Sequence, residues 1–98
     1  MELGKAWLIL REVLNVSLLH GGNVERYKNL GGDSGVVAFE INPGSITVQF
    51  NTGATYLYNT QSAGVANIEQ MQNFANRGQG LNSYISRVTR KMYARKLN

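Results

Sequence analysis

Ninety-eight residues make one domain with room for one modest hydrophobic core. A content of 43% hydrophobic and 16% charged residues is that of a globular chain and excludes disorder, and the absence of cysteine excludes disulfides, thiolate metal sites and a cysteine nucleophile. The net charge of +4 is concentrated at one end: Arg87, Arg90, Lys91, Arg95 and Lys96 lie in the last dozen residues, whereas residues 1–86 carry five basic side chains against six acidic ones, a balance of −1.

Residues 2–19, ELGKAWLILREVLNVSLL, place Leu3, Trp7, Leu10 and Leu14 at 4-3-4 spacing. One helical stripe follows from that spacing, with Ile9, Val13 and Val16 in an adjoining row. His20-Gly21-Gly22 reads as its stop, since glycine accepts the left-handed conformation at a helix C-terminus. Residues 1–30 are thus an N-terminal helical extension, whose apolar stripe is also a candidate homo-oligomer contact. Residues 23–35 are dominated by turn formers and are expected to be irregular. The longest apolar run, AWLIL, is stopped by Arg11-Glu12. It is far short of the roughly 20 residues of a membrane span and lacks the form of a signal peptide, so a cytoplasmic protein without membrane contact is expected.

From residue 35 the period changes to two. GVVAFEI and ITVQFN alternate around Asn42-Pro43-Gly44-Ser45, where proline and glycine suit the two central positions of a type II turn. A two-residue loop pairs Ile41 with Ile46, Phe39 with Val48 and Val37 with Phe50, all on one apolar face. The next loop decides where Tyr56 and Tyr58 point. A two-residue loop at Thr52-Gly53 would pair Phe50 with Thr55 and leave both tyrosines on the polar face with Thr47 and Gln49. It would also force positive φ on β-branched Thr52. A three-residue loop, Asn51-Thr52-Gly53, places Gly53 at the left-handed position and pairs Phe50 with Ala54, Val48 with Tyr56 and Ile46 with Tyr58. Turn chemistry favours the second arrangement, with the tyrosines inward.

The remainder reads as two helices. Residues 62–78 put Val65, Ile68, Met71 or Gln72, and Ala75 at helical spacing up to Gly78, and residues 81–97 do the same with Leu81, Ile85, Val88 and Met92. The expected fold is therefore α+β: a three-stranded antiparallel meander with helices packed on one face and an N-terminal helix before the sheet.

Little in the chain points to catalysis. A single histidine, no cysteine and scattered carboxylates do not make a metal site, and no cofactor is expected. His20 beside two glycines suits a helix terminus better than a serine–histidine pair. GGDSG (31–35) and GQGLN (78–82) lack the spacing of phosphate-binding fingerprints, although their glycines can expose backbone N–H groups to an anion. The sharper candidate is the basic end, residues 86–98. On a helix, Arg87, Arg90, Lys91 and Arg95 share one side, Lys96 follows, and no acid occurs after Glu69. Five such charges exceed what a helix C-terminus requires. Polyanion contact and a solvated basic face both account for them. Arg77, Tyr84 and Tyr93 belong to the same candidate surface, the tyrosines as platforms for base stacking.

Residues 34–85 resemble the KTSC domain, a small bacterial module named for the C-terminus of some lysyl-tRNA synthetases. Ser34, Phe50, Gly53, Tyr56 and Tyr58 match its strand and Tyr-x-Tyr portion, and Gly78, Leu81, Asn82 and Ile85 its late segment. The chain departs from the pattern at Gln61-Ser62, where Val-Pro is usual, and at Asn76, where serine is usual. The resemblance implies RNA binding. The expected function is therefore non-catalytic binding of nucleic acid, RNA for choice, through the basic end. The alternatives are a nucleotide- or small-anion-sequestering protein, of the sort a phage or prophage encodes, using the glycine loops with an arginine, and a protein–protein interaction module.

Overall fold

Two glycine-bearing turns organise the centre of the molecule. A computed structural model describes residues 23–98. They form a five-stranded antiparallel sheet in the order β1-β2-β3-β4-β5. The strands are β1 (Asn23–Arg26), β2 (Val36–Asn42), β3 (Ser45–Phe50), β4 (Thr55–Asn59) and β5 (Arg95–Lys96). Between β4 and β5 lie α1 (Thr60–Ala63), α2 (Val65–Arg77) and α3 (Leu81–Tyr84), the last running into a π-helical turn, Ile85–Thr89. Among the described residues no helix is long and apolar enough to cross a membrane.

The hairpin registers follow from the turns. Gly44 takes φ 72°, as the second central residue of a type II turn requires, and Ile41 faces Ile46 while Phe39 faces Val48. Gly53 takes φ 95°. The Phe50 N–H donates to the Ala54 carbonyl at 2.8 Å, Val48 faces Tyr56 and Ile46 faces Tyr58. This is the three-residue loop, and it sends the tyrosines to the core face.

Helices cover that face. Ile68, Met71 and Ala75 of α2, with Leu81 and Ile85 beyond it, pack with Phe39, Ile46, Val48 and Tyr58 in one cluster. Burying a side chain of that size stabilises by about 1.5–3 kcal/mol. α1 is closed by a capping box, Asn59 Oδ1 accepting from the Ser62 N–H (2.8 Å) and Ser62 Oγ from the Asn59 N–H (3.1 Å). α2 stops at Gly78, whose left-handed conformation lets its N–H reach the Phe74 and Ala75 carbonyls. The Gln72 amide donates to the Asn42 and Ser45 carbonyls, clamping the β2–β3 turn to the helix.

Three expectations need correction. The sheet has five strands and not three, because β1 lies in the stretch read as irregular and β5 in the stretch read as helix. β1 carries too few β-formers to announce itself; pairing with β2 makes it a strand. Val37 does not face Phe50: a bulge between Val36 and Ala38 brings Val36 opposite Phe50, and Val36 becomes the buried residue. Finally, the C-terminal helix ends at Thr89, leaving Val88 and Met92 of its expected stripe exposed, as is Val65 of α2. The expected N-terminal helix falls on residues outside those described.

The two positive-φ glycines at Gly53 and Gly78 should differ in tolerance. A Cβ at Gly53 meets nothing within 4 Å, so Gly53→Ala incurs only the backbone term, about 1 kcal/mol. A Cβ at Gly78 would lie 2.6 Å from Lys28 Cβ, so Gly78→Ala adds a clash to the same strain. Urea unfolding is expected to show Gly78→Ala as clearly the more destabilising; equal losses would refute the packing ascribed to Lys28.

Candidate functional site

The basic end of the chain takes a course that its composition does not suggest. After Tyr84 the helix widens into a π turn, and the Arg90 N–H donates to the Ile85 carbonyl at 2.6 Å. Arg90 itself sits at φ 32°, outside the favourable regions for a side-chain-bearing residue. The Tyr58 hydroxyl donates to the Arg90 carbonyl at 3.2 Å. The chain then returns to the sheet edge: the Ala94 N–H donates to the Leu57 carbonyl and the Leu97 N–H to the Thr55 carbonyl, both at 2.7 Å. Arg95 and Lys96 form β5 opposite Leu57 and Tyr56.

Arg87, Arg90, Lys91, Arg95 and Lys96 are therefore all exposed, but on a π turn, a tight turn and an edge strand and not on one helix face. The predicted aromatic platforms are occupied. Tyr93 packs on Tyr56 with ring centroids 4.7 Å apart and meets Tyr58 edge-on at 6.2 Å. Phe50 meets Tyr56 edge-on, and Lys96 Nζ lies 5.9 Å from the Tyr56 ring centre. Tyr84 packs on Phe74 at 5.3 Å and donates its hydroxyl to Asn67 Oδ1 at 2.6 Å. Arg77 lies over the Phe74 ring at 5.0 Å.

The two glycine-rich loops converge on a second feature, a polar cleft of about 440 Å³. Asn29, Gly31, Asp33 and Ser34 form one wall, Gln79, Gly80 and Asn82 the other, with Tyr27, Ser83 and Ser86 completing it. Two hydrogen bonds hold the walls together: Leu30 N–H to the Gly78 carbonyl (2.8 Å), and Leu81 N–H to the Tyr27 hydroxyl (3.2 Å). The first loop is shaped by Asn29, at φ 55°, whose Oδ1 accepts from the Ser34 N–H. Ser34 Oγ in turn accepts from the Val36 N–H, which starts β2. Its described lining contains one carboxylate, Asp33, and no lysine or arginine. Tyr27, Asn29, Ser83 and Ser86 were not singled out by sequence. Their types are common in any surface loop, and only the fold places them around one space. Among the described residues no three of His, Asp and Glu come together as a metal site would require.

Of the remaining motif residues, Phe50, Tyr56 and Tyr58 lie on the core face, Gly53 and Gly78 are turn and cap, and Asn82 lines the cleft beside Gly35. No protein-family model, curated protein or solved structure matches the chain.

Burial first, then the neighbouring Tyr56 and Tyr93, push the Tyr58 phenol up to about 12. In the unfolded chain the same group titrates near 10, so its contribution is intact below pH 10 and lost as pH rises towards 12. Stability is therefore expected to fall across that interval, and Tyr58→Phe should flatten the fall while removing the bond to Arg90. Denaturant unfolding of both chains at about pH 9, 10.5 and 12 checks this; identical pH dependence would show that Tyr58 is not the group responsible.

Proposed function

We propose that this protein is a non-catalytic binding module for a polyanion, RNA for choice, and that the basic end of the chain is the contact surface. The observation that carries the reading is the exposure of Arg87, Arg90, Lys91, Arg95 and Lys96, with no acidic side chain after Glu69 to neutralise them. The resemblance of residues 34–85 to the KTSC domain points the same way. Because the tyrosine rings near this surface are already packed, binding rests on phosphate contacts without base stacking, and discriminates little between sequences. Cations on β5 have a further use: lysine and arginine on an edge strand discourage pairing with another sheet.

Five phosphate contacts at about 0.7 each give a slope near −3.5 in log K against log salt for a single strand. Replacing the five cations by glutamine is expected to abolish both the affinity and the slope for a fluorescent RNA oligonucleotide, with far-UV circular dichroism confirming the fold. Tyr84→Leu, which removes the ring, should leave affinity within about twofold, less than the 1–3 kcal/mol that a stacked base contributes. Unchanged RNA affinity in the glutamine variant would refute the proposal, and aggregation of that variant without loss of affinity would assign the charges to edge protection.

The cleft supports a second reading, binding of a small ligand. Its volume falls in the usual range for such sites. With Asp33 as the one ionic group among serines and carboxamides, the chemistry suits a neutral, hydroxyl-rich molecule such as a nucleoside, and leaves an anion without the arginine it would need. Ligand-dependent rise in Tm across nucleosides and nucleotides, lost in Ser83→Trp, is the expected result; no rise with any of them would dispose of this reading.

A further inference from the structure

Residues 93–98 dock on β4 as a unit and are joined to the helix by a strained reversal. The Ala94 N–H donates to the Leu57 carbonyl, the Leu97 N–H to the Thr55 carbonyl, and the Asn98 side-chain amide to the Gly53 carbonyl at 3.1 Å. Tyr93 seats its ring against Tyr56 and Tyr58. The connection is residues 90–92, where Arg90 holds φ 32° and ψ −105° and the Met92 N–H donates to the Thr89 carbonyl at 2.6 Å. A residue with a side chain adopts such a φ only where its surroundings impose it. The sequence of this connection suits another conformation. Leu81, Ile85, Val88 and Met92 keep helical spacing, and residues 81–98 contain neither glycine nor proline. Continued as helix, α3 would carry Val88 and Met92, both exposed after the reversal, along one side. Arg90 would then take an unstrained φ, but residues 93–98 would no longer reach the β4 of their own chain.

We propose that a second copy of this chain restores that docking: two chains exchange residues 93–98, each seating Tyr93 and β5 on the β4 of the other, with the connection straightened into helix. The docking groups are identical in both arrangements, so the edge hydrogen bonds and the tyrosine packing are regained in the exchanged pair. The bonds given up are those of the reversal, the Tyr58 hydroxyl to the Arg90 carbonyl among them. In return the strain at Arg90 is released, and Val88 and Met92 of the two copies cover one another where the straightened helices cross. A short connection under strain is what favours such an exchange. The occupant is set by chemistry as well. A foreign strand would have to carry an aromatic ring at the spacing of Tyr93 from the N–H groups of Ala94 and Leu97, which a second copy does by identity. Arg95 and Lys96 stay on the outer edge, so the pair closes without recruiting further strands.

The chain has no cysteine, so an introduced pair reports the exchange without background. Leu57 and Arg95 are opposed across β4 and β5, a placement within reach of a disulfide. The full chain carrying Leu57→Cys and Arg95→Cys is refolded at rising protein concentration, in salt that screens Arg87, Arg90 and Lys91, and then oxidised. It is expected to pass from monomers bridged within one chain to covalent dimers bridged between chains. Light scattering should show the same transition in the wild-type chain. Arg90→Gly, which accepts the φ of the reversal without strain, should lower the dimer fraction several-fold. Arg90→Ala, which removes the same charge and keeps the strain, should not lower it. Should the first pair fail to fold or bridge, Tyr56→Cys with Lys96→Cys, also opposed, makes the same comparison. A wild-type chain that stays monomeric throughout overturns the proposal. So does a dimer whose bridges all lie within single chains, which would assign the association to another surface. Equal dimer fractions in the glycine and alanine variants would overturn strain at Arg90 as what drives the exchange.

Discussion

The left-handed conformation of Gly53 is the constraint on which most of this structure depends. It closes a three-residue loop in which Phe50 bonds to Ala54, and that count of residues sets the parity of β4 against β3. One residue fewer would turn every side chain of β4 over. With the parity as it is, Tyr58 is buried between the sheet and the helices, and Tyr56 lies beside it at the margin. Tyr58 then reaches the Arg90 carbonyl, and Tyr93 packs against both rings. The course of the last ten residues is thus tied to a turn forty residues earlier.

That course bears on function more than the charge does. A basic helix can enter a groove and read it; a basic edge strand and turn present charge along a margin of the sheet. The same packing that brings Tyr93 onto Tyr56 occupies the aromatic faces that bases would use. In the proposed polyanion contact, this surface would act by charge with little sequence discrimination. The cleft arises from the same economy of packing. Tyr27 and Leu81 are joined by one hydrogen bond, and through it two loops without individual signatures come to share a space.

Much of the sheet was legible because turn chemistry is local. Pro43-Gly44 and Asn51-Thr52-Gly53 specify their hairpins with few competing conformations, and Gly78 ends α2 where its helical spacing ends. Other features were not legible, because they depend on partners distant in sequence. Val36 displaced Val37 from the core through a bulge, and both are valines, so composition is silent on the choice. β1 is four residues with one apolar β-branched side chain, and it becomes a strand because β2 has an open edge.

The end of the chain draws the line most sharply. Leu81, Ile85, Val88 and Met92 keep helical spacing, and by itself the chain there establishes helix-forming periodicity, a positive charge and the absence of acids. Whether the helix continues was decided in three dimensions. Val88 and Met92 stay exposed, while β4 offers the returning chain its edge carbonyls at Thr55 and Leu57 and the hydroxyl of Tyr58. Bonding to those groups outweighed continuation of an exposed helix, at the expense of a strained backbone at Arg90. The hairpins, the helix stop and the distribution of charge were determined by the sequence. The edge strand, the packed tyrosines and the cleft were decided by tertiary structure, because each needs a hydrogen bond or contact between residues far apart in the chain.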